Sequence, residues 1–203
     1  MILHPRAWPA AVVTVALSGV KDLPKPESRI QSDIAMPDSP AQPTAAVAVI
    51  RTVPPDSQYL FIKRSNDPAD PWSGHYAFPG GGKEPADPDL LQTSIRETGE
   101  EVGITLRRDM LVAELPAKMA GNYLGYPVCV QPFVFEVPKR LPTVMDSAEV
   151  VHCEWRSKSY LRDSLNHCSL ALSPRLPEVA FACIKVEQGY IWGFTYEVLQ
   201  LVI

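Results

Sequence analysis

Several features that define other classes of protein are missing from this chain of 203 residues. Its four cysteines include no CxxC pair, so the thiols are expected to be reduced and mostly buried. No apolar run approaches the ~18 residues that a membrane span requires. The 19 Lys and Arg and 23 Asp and Glu give a net charge of −4, which argues against a broad nucleic-acid-binding surface. We expect a cytoplasmic protein (organellar matrix, if the cell is eukaryotic) with neither nucleic acid nor membrane as a partner.

Familiar catalytic motifs are missing too. The chain has no Walker A loop, no GxSxG elbow and no HExxH sequence, so a serine hydrolase and a zinc protease have no support. The dipeptides His152-Cys153 and His167-Cys168 place adjacent ligands in each pair, which is not the usual zinc spacing. Their side chains are expected to pack instead, and the same holds for Trp192.

Residues 1–43 differ in composition from the rest. A short apolar run between residues 8 and 17 follows Arg6, and five prolines lie between residues 24 and 43. Because Pro9 interrupts the run, we expect a first helix packed on the domain in preference to an export signal. The proline-rich stretch is expected to be an extended strap or linker. The predicted organisation is a helical and proline-rich arm over residues 1–43 and one main domain over residues 44–203.

The main domain alternates between β-rich runs and helical patterns. Strands are predicted at Ala45–Arg51, Gln58–Lys63, His75–Phe78, Met110–Leu115 and Val128–Val137. Helices are predicted at Leu90–Gly103, Tyr160–Leu165 and Phe194–Leu201. The three glycines after Pro79 predict a loop. Since no regular βαβ order is present, we expect a mixed β-sheet sandwiched between helices, in the mixed α/β (α+β) class.

The first predicted helix combines an apolar stripe with an acidic cluster. At ~100° per residue, Leu91, Ile95, Thr98 and Val102 share one stripe. Glu97, Glu100 and Glu101 fall on roughly the opposite face, in the C-terminal half, where the helix dipole disfavours negative charge. A cation would relieve both costs, and hard oxygen ligands suit Mg²⁺ or Mn²⁺. Arg96 can pair with Glu100, four residues away, and steady the cluster.

This segment resembles the signature of Nudix hydrolases, Gly-x5-Glu-x7-Arg-Glu-U-x-Glu-Glu-x-Gly-U, where U is apolar. The matching positions are Gly82, Arg96, Glu97, Glu100, Glu101, Gly103 and Ile104. The resemblance extends from about residue 44 to the C-terminus and implies a Nudix fold that hydrolyses pyrophosphate bonds. One position departs from the signature, since Pro88 stands where the first glutamate belongs.

A branch of the family with the same departure, the coenzyme A diphosphatase-like proteins, is more similar still. Its box opens Phe-Pro-Gly-Gly-x-x-(Asp/Glu)-Pro-x-Asp, and residues 78–87 match that pattern without a gap. Residues 131–135 and 191–195 also resemble this branch. In its upstream signature, however, Asp70 replaces an arginine. An anion there is not a neutral change beside a triply phosphorylated ligand.

The resemblance implies a site as well as a reaction. Mg²⁺ or Mn²⁺ would be held by Glu97, Glu100, Glu101 and a backbone carbonyl of the glycine loop, assigned to Gly81. Glu97 and Glu101 are the predicted catalytic residues of the box, with Glu97 favoured as the base that deprotonates water. Outside the box, Glu149 is a second candidate for the base. It could equally be an exposed charge that has no role in catalysis.

Other residues are candidates for contact with the substrate. The predicted substrate-binding residues are Lys63, Arg64, His75, Gly80 and Gly82, and the lysine and arginine are equally compatible with solvated charges at a strand end. Trp72, Tyr76 and Tyr123 could stack on a base or belong to the core.

The predicted substrate is a nucleoside diphosphate linked to another moiety. Coenzyme A or its thioesters come first, giving 3′,5′-ADP and 4′-phosphopantetheine. ADP-ribose, NDP-sugars, dinucleotides and (d)NTPs stay open, and so does a Nudix module that binds a nucleotide without hydrolysing it. A homodimer is also left open.

Overall fold

The computed structural model describes residues 42–68, 70, 72–122, 125–145, 148–173 and 176–203. The predicted arm over residues 1–43 lies almost wholly outside these ranges, and so does Tyr123. Among the described residues, no helix has the length and apolar character needed to cross a membrane.

Two sheets organise the described part of the chain. The larger one has eight strands in the order β3-β2-β1-β7-β5, with β4 paired to β1, β6 to β7 and β8 to β2. The smaller one has the order β11-β10-β9. The strands are β1 Ala45–Thr52, β2 Gln58–Arg64, β3 Tyr76–Ala77, β4 Gly80–Gly82, β5 Leu111–Glu114, β6 Lys118–Ala120, β7 Val128–Val137, β8 Val150–Ser157, β9 His167–Leu170, β10 Phe181–Val186 and β11 Gly189–Trp192. The helices are α1 Leu90–Val102, α2 Lys158–Arg162 and α3 Gly193–Leu199.

The larger sheet is mixed, as predicted. β1 runs parallel to β7 over its whole length, from Ala45 opposite Val130 to Thr52 opposite Val137. Its other pairings, with β2 and β4, are antiparallel. Parallel pairing of strands so far apart in sequence needs a long crossover, and that crossover contains α1.

The sheet is buried on both faces, which explains the continuous apolar runs of its central strands. On one face, Ala48 and Ile50 of β1 belong to a core cluster against which Leu91 and Ile95 of α1 pack. On the other face, Val49 of β1 belongs to a second cluster. That second cluster is completed by residues of the C-terminal β10, β11 and α3, namely Ile184, Val186, Ile191, Val198 and Leu199.

Most predicted elements have ends that differ by one or two residues from those observed, and one element differs in kind. The glycines after Pro79 were expected in a loop, but they form β4, because β1 offers its edge to their backbone groups from Ala45 to Val47. The helix predicted at Tyr160–Leu165 is observed as α2, Lys158–Arg162. It begins earlier than predicted because Ser157 is its N-cap, and the Ser157 side chain accepts a hydrogen bond from the Tyr160 amide. The final helix, α3, ends at Leu199 instead of Leu201.

Candidate active site

Helix α1 is bounded by residues suited to its two ends. Asp89 is the N-cap, and its carboxylate accepts a hydrogen bond from the Gln92 amide at 2.8 Å. Gly103 follows the last turn with φ of 68°, a left-handed conformation that favours glycine, and its amide donates to the Gly99 carbonyl. These caps fix where the acidic half of the helix lies.

Strand β4 lies directly beside that acidic half. An ideal Cβ built on Gly81 would lie 2.4 Å from Oε1 of Glu97, so a side chain there would displace the carboxylate. The amide of Gly80 donates to Oε2 of Glu101 at 2.9 Å. By contrast, a Cβ on Gly82 would meet nothing within 4 Å. Glycine at position 81 therefore gives Glu97 its place against the strand.

The three glutamates of the box are not equally exposed. Their side chains are 4% exposed for Glu101, 18% for Glu97 and 58% for Glu100. Glu101 is therefore buried, and the amide of Gly80 in β4 donates to its carboxylate. The pKa of Glu101 is raised to about 8, chiefly by burial. Burial also raises the pKa of Glu97, and the charges of Glu100 and Glu149 act in the same direction.

Arg96 joins this cluster to a carboxylate that the sequence analysis did not assign. Its guanidinium lies 2.8 Å from Oε2 of Glu100, as predicted, and 3.0 Å from Oε1 of Glu97. It also donates two hydrogen bonds to the buried Asp87, from Nε at 3.1 Å and from Nη2 at 3.0 Å. Those bonds hold the pKa of Asp87 well below its usual range. Asp87 precedes Pro88, so a carboxylate lies one position before the missing glutamate.

The negative charge of Asp70, which was expected to disfavour a phosphorylated ligand, is paired with groups of the protein itself. Oδ2 of Asp70 accepts a hydrogen bond from Nε of Arg64 at 2.7 Å, and Oδ1 accepts one from the Trp72 amide at 2.9 Å. The same guanidinium lies 3.9 Å from Glu101 and 3.8 Å from Glu149. Arg64 is therefore shared among three carboxylates, and Asp70 holds both the arginine and the following turn.

Several of these groups line one cavity of about 630 Å³. Its charged lining residues are Arg64, Glu84, Arg96, Glu97, Glu100 and Glu149. The lining also includes several residues that were predicted from the sequence: Gly80, Gly81, Gly82, His75, Trp72 and Tyr76. It further includes a C-terminal group that the sequence analysis did not connect with substrate: Trp192, Gly193, Phe194 and Thr195. Burial lowers the pKa of His75, so its ring is neutral at neutral pH. Lys63 is directed elsewhere, since its Nζ donates to the Gln188 carbonyl at 2.8 Å.

The donor set at this cavity fits a hard divalent cation. Four carboxylates, from Glu97, Glu100, Glu101 and Glu149, influence one another electrostatically. Both neighbouring arginines are already shared among several of them. Additional positive charge bound by the oxygens of Glu97 and Glu100 would reduce this repulsion, and carboxylate oxygens are the ligands that Mg²⁺ and Mn²⁺ prefer.

A second group of ligand-type atoms lies elsewhere. Side-chain atoms of His152, Glu154 and Glu187 come within 4.8 Å of one another. Glu154, however, already accepts hydrogen bonds from the Tyr76 hydroxyl and from Arg156. The positive charge of Arg156 beside Glu154 would repel a metal ion, so we interpret this group as an internal ion-pair network.

Comparison with known proteins agrees with this geometry. Residues 42–169 match the NUDIX domain family, more than half of the chain. The chain therefore belongs to the Nudix family, as the resemblance predicted.

Two relatives and one solved structure show the extent of the likeness. The chain is 37% identical to C14C4.10c of Schizosaccharomyces pombe over 100 residues, 47% of this chain and 30% of that protein. It is 29% identical to the Nudix hydrolase NudL of Photorhabdus laumondii over 129 residues, 63% of this chain and 66% of that protein. A MutT/nudix family protein from Enterococcus faecalis superposes with a TM-score of 0.54 at 15% identity, covering 81% of this chain and 61% of that one, and shows the shared fold. The chain thus spans less than two thirds of either relative.

Proposed function

We propose that this protein is a Mg²⁺- or Mn²⁺-dependent pyrophosphohydrolase that cleaves a nucleoside diphosphate linked to another moiety. The observation that carries the proposal is the carboxylate cluster of α1, held against the glycine strand β4 at the wall of a cavity. A pyrophosphate bond is difficult to attack because its oxygens are negatively charged, and the cluster is placed to bind the cations that offset that charge.

The residues divide into three roles in this proposal. Glu97 and Glu100 hold the metal with Glu101, and the Gly81 carbonyl completes the set. When bound, the metal neutralises charge on the phosphate oxygens. Arg64, which lines the same cavity and lies within 4 Å of both Glu101 and Glu149, orients a phosphate beside the metal-binding carboxylates.

The attacking water needs a base, and two candidates remain. Glu97 contacts Arg96 at 3.0 Å, and its side chain is largely buried. Glu149 has a side chain that is 68% exposed and lines the cavity, so it can reach a water molecule beside the substrate. We propose Glu97 as a metal ligand and Glu149 as the base. From the sequence alone, Glu97 was the favoured base.

Coenzyme A is the first substrate we propose, on the strength of the pattern in residues 78–87. One observation favours a second candidate, a diphosphate without a further phosphate, such as dephospho-coenzyme A or ADP-ribose. Arg64 and Arg96 are the cationic residues in the described lining, and each is engaged by at least three carboxylates. The 3′-phosphate of coenzyme A would therefore meet no uncommitted cation.

The test is a substrate panel with the purified full chain. Coenzyme A, dephospho-coenzyme A, ADP-ribose, NDP-sugars, diadenosine polyphosphates and dNTPs are incubated with Mg²⁺ or Mn²⁺, and the products are separated by chromatography. Glu97→Gln is the inactive variant, and Glu114→Gln, an exposed glutamate of β5, is the matched control. Mn²⁺ binding is measured separately by calorimetry, so that loss of metal and loss of chemistry are distinguished.

We expect metal-dependent cleavage of at least one diphosphate, lost in Glu97→Gln and retained in Glu114→Gln. A preference for dephospho-coenzyme A over coenzyme A would support the argument from the engaged arginines. Nucleotide binding without any turnover would contradict the proposal and favour the non-catalytic module. Homodimer formation and a cytoplasmic location stay predictions, and sedimentation velocity tests the first.

A further inference from the structure

The C-terminal segment after β10 forms one wall of the cavity. Trp192 ends β11, and Gly193, Phe194 and Thr195 begin α3; all four line the cavity. This wall lies outside residues 42–169, the part that matches the family. The expectation that Trp192 only packs is therefore incomplete, because its side chain is half-buried and borders the site.

Contacts with both sheets and with the residue before β3 hold this wall in place. The ring of Trp192 lies 4.9 Å from the ring of His75 and 5.2 Å from that of Phe181, measured between centroids. The hydroxyl of Thr195 donates to the Tyr76 carbonyl at 3.1 Å, which ties the start of α3 to β3. A wall fixed in this way presents rigid aromatic surface, so binding a ligand costs little ordering of its side chains.

Open space lies directly beside the tryptophan. Gly193 has φ of 58°, and a Cβ built on it would meet nothing within 4 Å. The lining of the same cavity also includes Trp72 and small or apolar residues of β6 and β7, namely Ala120, Val128 and Val130. The wall and the surfaces that share the cavity with it are therefore well suited to a flat group.

The distribution of charge indicates what kind of group this is. All charged lining residues belong to β2, α1 and the loops that lead into α1 and β8, whereas Trp192 to Thr195 carry no charge. The diphosphate of the substrate belongs with the arginines and the metal-binding carboxylates. The wall is left to an uncharged part, and aromatic side chains stack well on nucleobases of any sequence identity.

We propose that Trp192, with Phe194 beside it, binds the nucleobase of the substrate and thereby determines which half of the substrate faces the C-terminal wall. The proposal rests on the proposed function for the identity of the ligand as a nucleotide. It predicts that a pantetheine arm, a sugar or a second nucleoside lies away from this wall.

The test compares ligands with and without a base. AMP, ribose 5-phosphate and 4′-phosphopantetheine are titrated as inhibitors of diphosphate hydrolysis against the full-length wild type, Trp192→Ala and Trp192→Phe. For AMP we expect the inhibition constant to rise roughly 5- to 100-fold in Trp192→Ala, the loss of one stacking contact, and to change much less in Trp192→Phe. The constant for ribose 5-phosphate should be the same in all three proteins.

Tryptophan fluorescence gives a readout that does not need turnover. AMP should quench the emission of the wild type and of Trp155→Phe, which alters a tryptophan packed in the other core cluster. The quenching should fall in Trp192→Phe and not in Trp155→Phe, and what remains comes from Trp72, which also lines the cavity. Circular dichroism of each variant establishes that the fold is kept.

The outcomes separate this inference from the proposed function. Quenching by AMP without hydrolysis of any diphosphate would keep the base-binding wall and reject the enzyme. Hydrolysis with an unchanged AMP constant in Trp192→Ala would keep the enzyme and overturn the wall. A selective loss for 4′-phosphopantetheine would also overturn it, because the wall would then bind the other half of the substrate.

Discussion

The close approach of Glu97 to Gly81 allows a sharp test of the site. In Gly81→Ala the new methyl carbon would lie 2.4 Å from Oε1, 2.6 Å from Cδ and 2.9 Å from Oε2 of Glu97. An ordinary contact between such atoms is about 3.5 Å, so the carboxylate must move by about 1 Å. Because these atoms are the far end of a flexible side chain, the movement costs little stability, and the main effect falls on function.

A displacement of that size is large for a catalytic centre. Misplacing a reacting or positioning group by 1 Å can cost about 100-fold in rate, and we expect kcat/KM of Gly81→Ala to fall by that order. Mn²⁺ affinity should fall at least about tenfold, as it does when ligand orientation is disturbed. Gly99→Ala, on the exposed side of α1, is the matched control, since its Cβ would also meet nothing within 4 Å, and its rate should stay within about twofold of wild type.

The assay measures kcat/KM on whichever diphosphate the panel identifies, Mn²⁺ binding by calorimetry and thermal unfolding for both variants. The reasoning requires a loss of activity and metal affinity in Gly81→Ala at nearly unchanged Tm. Equal activity of the two alanine variants would refute it, because Glu97 would then not depend on its place against β4. A large drop in Tm for Gly81→Ala alone would show that the glycine serves the strand and not the carboxylate.

Three further predictions concern neighbouring groups. Asp87→Asn should lower Tm by about 5–10 °C, because Asp87 is a buried partner of an arginine, whereas the exposed Asp109→Asn should leave Tm within about 2 °C by calorimetry. Burial lowers the pKa of His75, so the unfolded chain binds a proton at this side chain more readily, and its contribution to stability is lost as the pH falls below about 6.5. Because the raised pKa values of Glu97 and Glu101 act in the opposite direction, the measurement is the difference in urea stability between wild type and His75→Gln, which should move in favour of the variant below that pH. Lys63→Met should leave KM within about twofold of wild type, because the ammonium of Lys63 is hydrogen-bonded to the Gln188 carbonyl. Arg64→Met should raise KM about tenfold or more, because Arg64 lines the cavity. Equal effects of the two variants on KM would contradict the assignment of Arg64 to phosphate binding.

Local patterns predicted the elements whose causes lie within a few residues. The bounds of β7 were predicted without error, and β1 and β2 within one residue, because strands buried on both faces are marked by unbroken apolar runs. Helix α1 was predicted from its period and from Gly103. By contrast, β8 was missed, since its buried Glu154 breaks the apolar pattern and is satisfied by Arg156 of the same strand and by the distant Tyr76.

Strand β4 shows the limit of propensity. Three glycines have little tendency to form a strand by themselves, and they do so because β1, more than thirty positions earlier, supplies the hydrogen-bonding edge. The burial of Glu101 has the same origin. Its place on the helix is local, but the strand that covers it is not.

The sequence by itself determined the family, the mixed fold and the group of carboxylates, because a helix places residues three and four apart on one face whatever surrounds it. Tertiary structure alone decided that Asp87 pairs with Arg96, that Arg64 absorbs the charge of Asp70, and that the C-terminal Trp192 faces the cavity. The Trp192 contact joins segments more than a hundred positions apart, and each ion pair joins an arginine of a strand or helix to an aspartate in a loop that has no repeating geometry. Such contacts exist only once the chain has folded, so no local periodicity in the sequence predicts them.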